Sequence, residues 1–353
     1  MENEEVMPNS RATVPMAPEV ENPMKSIAVI QFDSEGTMLQ LNETNHPFFH
    51  YIDLTSENNP TGQISTELNV ELYAMKDTRV CVIANVDEQK IRELTFNDAE
   101  NRNYIWNEFR VNTIDIPYIL EEINSGQSVG HVEEIYMFGY FEGEINEQGM
   151  AVSGTNEKLL SIAMSRLISR MEMYIKLGDG VTIPGGYKIY LGFTGIEKSA
   201  YLVPGAANYL TELVHNHVLL KPVDRTEIIK ENSDYGNTST FYFYLAPHIV
   251  KSNTDKVTRF IIWCVEETVN AEDLIINEDT DPTPNPDYNH YEIMMCNDPL
   301  QENPNVEGAL WLNRNSLYHV NITLTYGNGS AVTRAQESGE YVVDLKELIN
   351  SEQ

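Results

Sequence analysis

Residues Trp311–Gly329 read WLNRNSLYHVNITLTYGNG, and this stretch decides the fold class. From Tyr318 onward, Tyr318, Val320, Ile322, Leu324 and Tyr326 fall on one side of an extended chain, and His319, Asn321, Thr323 and Thr325 on the other. A period of two predicts a strand with one face in a core and one in water. The Gly-Asn-Gly-Ser run behind it tolerates positive φ and ends the strand in a turn.

Working outward, the same signal recurs. SIAVIQF (Ser26–Phe32) reads as a strand, with a turn at Asp33–Gly36 and a second strand after it. TRVCVIANV (Thr78–Val86) is a nearly continuous apolar run, which suits a strand covered on both faces. In KLLSIAMSRLISRMEMYIKLG, Leu160, Ile162 and Met164 alternate, and so do Met171, Met173 and Ile175, out of phase with the first set. A bulge at Arg166–Leu167 reconciles the two halves. A helical stripe through Leu160, Met164, Leu167 and Met171 remains open. YKIYLGFTG, TSTFYFYLAP and VTRFIIWCVEE complete the set of strands, and EDTDPTPNPDYNHYE reads as a loop. Helices are expected over Asp115–Gly126, through Ile116, Ile119, Leu120 and Ile123, and around Asn208–Val218.

Strands at short spacing with few helices predict an all-β chain of sandwich units rather than βαβ units. At 353 residues two units are expected. They comprise an extended tail over 1–25, a first sandwich over 26–180, a second over 181–335 and a terminal segment over 336–353, with the boundary near Gly178–Gly186.

The net charge of −31 repels phosphate and excludes nucleic acid as a partner. Cys81, Cys264 and Cys296 offer no disulfide framework and no zinc spacing. No apolar run is long enough to span a bilayer. The N-terminus shows no charged-then-apolar signal pattern, which leaves a cytoplasmic chain and a trimmed, exported one both open.

Candidate chemistry is sparse. His215 and His217 flank Asn216, but the run leading to them is helical in pattern, and i, i+2 ligands converge on a strand, not a helix. Asp279, Asp281 and Asp287 form an acidic loop without the turn glycine and terminal glutamate of an EF-hand, so they are weak metal candidates. There is no GxSxG, no phosphate loop and no cysteine with a nearby histidine. The residues point to no enzyme and no cofactor.

Several segments, in order, resemble the fimbrillin family, the subunits of Bacteroidales type V pili. These are SIAVIQFDSEG, RVCVIANV, EEIYMFGYFEG, SIAMSRLISRMEMYIK with Arg166, Leu167, Arg170 and Glu172, TFYFYLAPHIV, and WLNRNSLYHVNITL with Arg314, Asn315, Tyr318, Val320 and Ile322. Ala246-Pro247-His248 departs from the family's Pro-Glu-Asn, and 87–130 does not align.

The resemblance implies two tandem transthyretin-like β-sandwich domains. It also implies a cell-surface structural subunit, shaft or tip, held at the outer membrane through a lipid or an anchor subunit. Subunits of such a pilus join by strand donation and mediate adhesion. Processing would fall at Arg11 and Ala12, exposing a groove edge at Ile27, Val29, Ile30 and Phe32. The donor candidates are Tyr341, Val343 and Leu345, although Leu345, Leu348 and Ile349 equally make a short helix, which would suit a tip or anchor subunit better. Other fimbrial subunits are the implied partners, with host or bacterial surface glycans or proteins as targets. The alternative is a surface glycan- or protein-binding lipoprotein that does not polymerise, displaying 279–290 or 87–130.

Overall fold

The computed structural model describes residues 24–41, 48–55, 66–97, 102–117, 132, 134–203, 220–223, 238–247, 257–278, 281–295, 314–326 and 339–349. The chain opens with β1 (Ser26–Phe32), β2 (His50–Asp53) and β3 (Met75–Ala84). A helix α1 (Glu88–Thr95) follows, capped by Asp87, whose carboxylate accepts from the Lys90 N–H. Next come the short pair β4 (Phe96–Asn97) and β5 (Arg102–Asn103), a helical turn α2 (Trp106–Phe109) and β6 (Thr113–Asp115). Then run β7 (Met137–Ile145), β8 (Met150–Ser153), β9 (Asn156–Leu159) and β10 (Ser165–Arg166). These build one sheet in the order β2-β1-β3-β7-β8-β9, with β10 also paired to β7.

The apolar runs explain why this sheet is buried on both sides. Every residue of β1 is buried. Ala28, Ile30 and Phe32 join Cys81, Ile83 and Phe138 in an inner core closed by Ile91 and Leu94 of α1 and Phe109 of α2. Ile27 and Val29 face the other way with Val80, Ala84, Met137 and Ile145.

The second half folds as a sandwich. β11 (Ser169–Leu177), β12 (Tyr187–Thr194), β13 (Ser199–Tyr201), β14 (Leu220–Val223), β15 (Thr238–Leu245) and β16 (Arg259–Glu266) come first. β17 (Ile275–Glu278), β18 (Asp281–Pro284), β19 (His290–Met294), β20 (Leu317–Thr325), β21 (Gly339–Asp344) and a last helix α3 (Leu345–Ile349) follow. One sheet runs β15-β11-β20-β21 and the facing one β14-β12-β16-β19. Between them pack Met171, Met173, Ile175, Leu191, Phe193, Phe260, Ile262, Val320, Ile322 and Leu324.

The fold is thus all-β, as the alternating patterns predict, and the Trp311–Gly329 stretch supplies its central strand. Val320, Ile322 and Leu324 are buried, while Tyr326 lies just past the strand and is exposed. Both neighbours of β20, namely β11 and β21, run parallel to it.

Four local expectations are corrected. The Arg166–Leu167 join is a passage between sheets rather than a bulge: β10 pairs with β7, and after Leu167 and Ile168 the chain enters the second sandwich as β11. A one-residue change of phase is what a strand needs to turn its apolar side toward a new core. The boundary at Gly178–Gly186 accordingly separates β11 from its own sandwich. Asp115 lies in β6, paired with Ser199 of β13, rather than at a helix cap, while Ile119, Leu120 and Ile123 of the helix expected after it lie outside the described residues. The proline-rich loop is partly a hairpin, β17 with β18, in which Pro282 and Pro284 stand on an added two-stranded ribbon that tolerates them. The helix expected around Asn208–Val218 lies outside the described residues. No helix among the described residues is long and apolar enough to cross a membrane.

Candidate functional site

The outer face of the first sheet carries Ile27, Val29 and Gln31 of β1, Val80 and Ala84 of β3, and Met137, Gly139 and Ile145 of β7. Among the described residues no second sheet covers it. Two extended segments lie on it. In the first, Leu68, Val70 and Leu72 pack inward, while Glu67, Asn69, Glu71 and Tyr73 are exposed. In the second, Leu160, Ile162 and Met164 pack inward, while Ser161 and Ala163 are exposed. Both have strand alternation, yet neither belongs to a ladder among the described residues.

The two segments are anchored at opposite margins. Over β1, the buried Gln31 side chain holds the first: its Nε2 donates to the Tyr73 carbonyl at 2.9 Å, and its Oε1 accepts from the Tyr73 N–H at 2.9 Å. Over β7, Gly139 lets the second approach, because a Cβ there would overlap the Ala163 carbonyl. β3 runs between these anchors. Met24, at the start of the described chain, also packs on this face. β7 adds a free stretch of edge: β10 pairs with Met137–Phe138 and β8 with Glu144–Ile145, so Gly139–Gly143 has no ladder partner on that side among the described residues. Unpaired backbone beside an apolar face is what a further strand can satisfy.

The expected groove-edge residues take other places. Ile27, Val29, Ile30 and Phe32 are buried in β1, which is bonded to β3 along its length and to β2 from Ser26 to Val29. Beyond that, Leu39 N–H donates to the Gln31 carbonyl at 2.8 Å. An open edge at these four positions is therefore corrected to an interior strand, because the chain doubles back on both sides of it. Arg11 and Ala12 lie outside the described residues, as do Asp279 and the pair His215 and His217. Asp287 is exposed in a turn, where its N–H donates to Asn285 Oδ1 at 3.0 Å. Among the described residues no three His, Cys, Asp or Glu side chains gather as a metal site.

The donor candidates are found inside their own chain. Tyr341 and Val343 are buried in the second core from β21, and Leu345 and Leu348 from α3. The strand and helix readings both hold, in succession, because alternation gives way at Leu345 to i, i+3 spacing.

A second polar arrangement ties the two sheet systems together. Arg314 donates through Nη1 to the carbonyls of Tyr201 and Leu202, both at 3.0 Å, and through Nε to that of Arg166 at 3.4 Å. Burial pulls its pKa down to about 10. Asn315, in the left-handed region at φ 52°, accepts from the Arg166 N–H at 3.3 Å. Nearby in sequence, Glu197 is buried just before β13, and desolvation pushes its pKa up to about 8. Arg314 and Asn315 are visible in sequence only through the resemblance. Gln31 and Gly139 carry no sequence signal, since each reads as an ordinary strand position.

No protein-family model matches the sequence, and no curated protein does. Among solved structures, the chain is similar to a protein from Bacteroides eggerthii described as a cell adhesion protein, at 12% identity over 91% of each chain with a TM-score of 0.51. The tip fimbrial protein of Porphyromonas gingivalis, truncated at its C-terminus, aligns at 11% identity over 87% of this chain and 92% of that one, with a TM-score of 0.47. A protein from Parabacteroides distasonis described as a cell adhesion protein aligns at 12% identity over 91% and 94%, with a TM-score of 0.45. The fold of this chain is thus shared along most of its length with that of the Bacteroides eggerthii protein.

Proposed function

We propose that the chain is a non-enzymatic cell-surface subunit of a fimbrium, of the tip or accessory kind, that receives an extended segment from a neighbouring subunit on the outer face of its first sheet. The observation that carries this reading is the cover of that face: two lone extended segments whose backbones join no ladder among the described residues. A third strand between them would supply both hydrogen bonds and apolar side chains. The fold shared with a protein described as a cell adhesion protein supports a surface role. Processing after Arg11 would remove residues 1–11 and leave Ala12 as the new start of the chain that enters this face at Met24. The lipoprotein character and outer-membrane placement of such a subunit belong to the same reading.

The packing of residues 339–349 supports the accessory reading. Donating residues 339–349 would strip Tyr341, Val343, Leu345 and Leu348 from the core they fill. Each large apolar side chain returned to water costs about 1.5–3 kcal/mol.

The test uses the chain cleaved after Arg11 and, as probe, the synthetic segment EYVVDLKELINSEQ. The cleaved chain is expected to retain the peptide through denaturing electrophoresis without heating, to form no ladders alone, and to lose uptake when left uncut. Ladders that vanish on deleting Glu340–Gln353 would make it a shaft subunit. Failure to take up the peptide, with or without cleavage, would leave a surface-binding protein that does not polymerise.

A further inference from the structure

At the other face of the first sheet the core ends in an aromatic rim. Trp106, from α2, stands against Phe32 edge-on at 5.4 Å between ring centroids and against Phe109 at 6.2 Å. Its approach depends on Gly36, at φ +84°, where a Cβ would come within 3.0 Å of the Trp106 Cβ. Tyr140 of β7 lies 5.8 Å from Trp106 on its outer side and keeps 43% of its surface exposed; Ile105, beside Trp106 in the chain, keeps 39%. Arg79 of β3 places its guanidinium 5.2 Å over the Trp106 ring and donates to Glu142 of β7 at 2.6 Å. The Glu142 side chain remains 53% exposed.

Core packing accounts for Phe32, Phe109 and the inner edge of Trp106. It does not account for a tyrosine ring presented to water beside a paired carboxylate and guanidinium. The combination is a half-exposed aromatic ring bordered by an acceptor and a donor that are paired with each other, with no net charge between them.

We propose that this rim binds a neutral hexopyranose unit of a surface polysaccharide. The sugar's C–H face would lie on Tyr140 and Ile105, with its hydroxyls exchanging hydrogen bonds with Glu142 and Arg79. The chemistry favours this ligand over two others. An anionic sugar meets a protein of net charge −31 and a guanidinium already paired. A protein partner needs a stable interface of about 1,000 Å² or more, far beyond two exposed side chains. The side chains of the site lie on the face opposite the strand-accepting one, although Tyr140 and Glu142 share the β7 stretch whose edge is free. Sugar binding is therefore read on the full chain with no donor peptide present, and its failure is distinct from failure of peptide uptake.

The experiment titrates the full chain with mannohexaose, cellohexaose and maltohexaose, and with hexagalacturonate as the acidic control, by calorimetry and saturation-transfer NMR. At least one neutral hexamer is expected to bind, with transfer to its ring C–H protons. Tyr140→Ala should weaken it about tenfold, as loss of a ring contact implies. Tyr140→Phe, which keeps the ring and the fold, should retain binding, and Glu142→Gln should weaken it. The proposal is overturned if no neutral hexamer binds at millimolar concentration or if the acidic hexamer binds better. It is overturned equally if Tyr140→Ala and Glu142→Gln, both folded, leave affinity unchanged, or if the patch captures a protein and no sugar.

Discussion

Gln31 and Tyr73 exchange a reciprocal pair of hydrogen bonds, in which a buried side-chain amide takes the part of a peptide unit in a strand that is not there. The same Nε2 also donates to Thr78 Oγ1 at 3.1 Å, and Thr78 Oγ1 donates in turn to the Phe32 carbonyl at 2.6 Å. Gln31→Leu is expected to leave the Tyr73 backbone and Thr78 without these partners. A cost of about 1–2 kcal/mol is expected, since Thr78 is buried but Tyr73 is half exposed. Faster amide exchange over 66–74, with the second sandwich unchanged, checks it; unchanged exchange there counts against the anchoring role.

Gly139 is needed for space and not for backbone conformation. Gly139→Ala should push the 160–164 segment off the outer face, cost about 2–3 kcal/mol through overpacking, and raise binding of a hydrophobic dye. Gly185→Ala is the control, since nothing lies within 4 Å of its added Cβ. Equal melting temperatures for the two variants would refute the close approach.

Glu197 makes stability depend on pH. In the folded chain its carboxyl ionises at about 8 because of burial, whereas an exposed glutamate ionises near about 4.3. Across that window the folded state holds one more proton than the unfolded state, so the free energy of unfolding falls as pH rises and levels off above the upper limit. Glu197→Gln removes the slope. The variant should match the parent near pH 4 and exceed it at pH 8 by on the order of 4 kcal/mol, measured by urea titration at both values.

Arg314→Lys keeps a charge but loses the fork that reaches Tyr201, Leu202 and Arg166. A loss of about 2–3 kcal/mol is expected, seen as a lower denaturation midpoint at unchanged slope. If the lysine variant is as stable as the parent, Arg314 is not the tie between the two sheet systems.

The strands were legible because alternation is local. Val320, Ile322 and Leu324 announce their face without reference to any other segment. Partnership was not legible, because nothing in β20 specifies parallel neighbours or tells that β21 belongs beside it. Helix α1 went unseen: Asp87, Ile91 and Leu94 mark it, but they follow directly on an apolar strand whose pattern masks the change of period. The outer face escaped for a different reason. Gln31 and Gly139 matter only through residues dozens of positions away, and long-range contact leaves no trace in a single chain's spacing.

The parallel run of β11, β20 and β21 has a mechanical meaning. The first sheet connects to β11 at its leading end, Ser169, and β21 leaves at its trailing end, Asp344, so these two points lie at opposite ends of three co-directional strands. Tension applied between them would load both ladders in shear, with many hydrogen bonds sharing the strain together instead of unzipping in turn. A body wired in this way resists being stretched along its length far better than its modest rungs would resist being peeled.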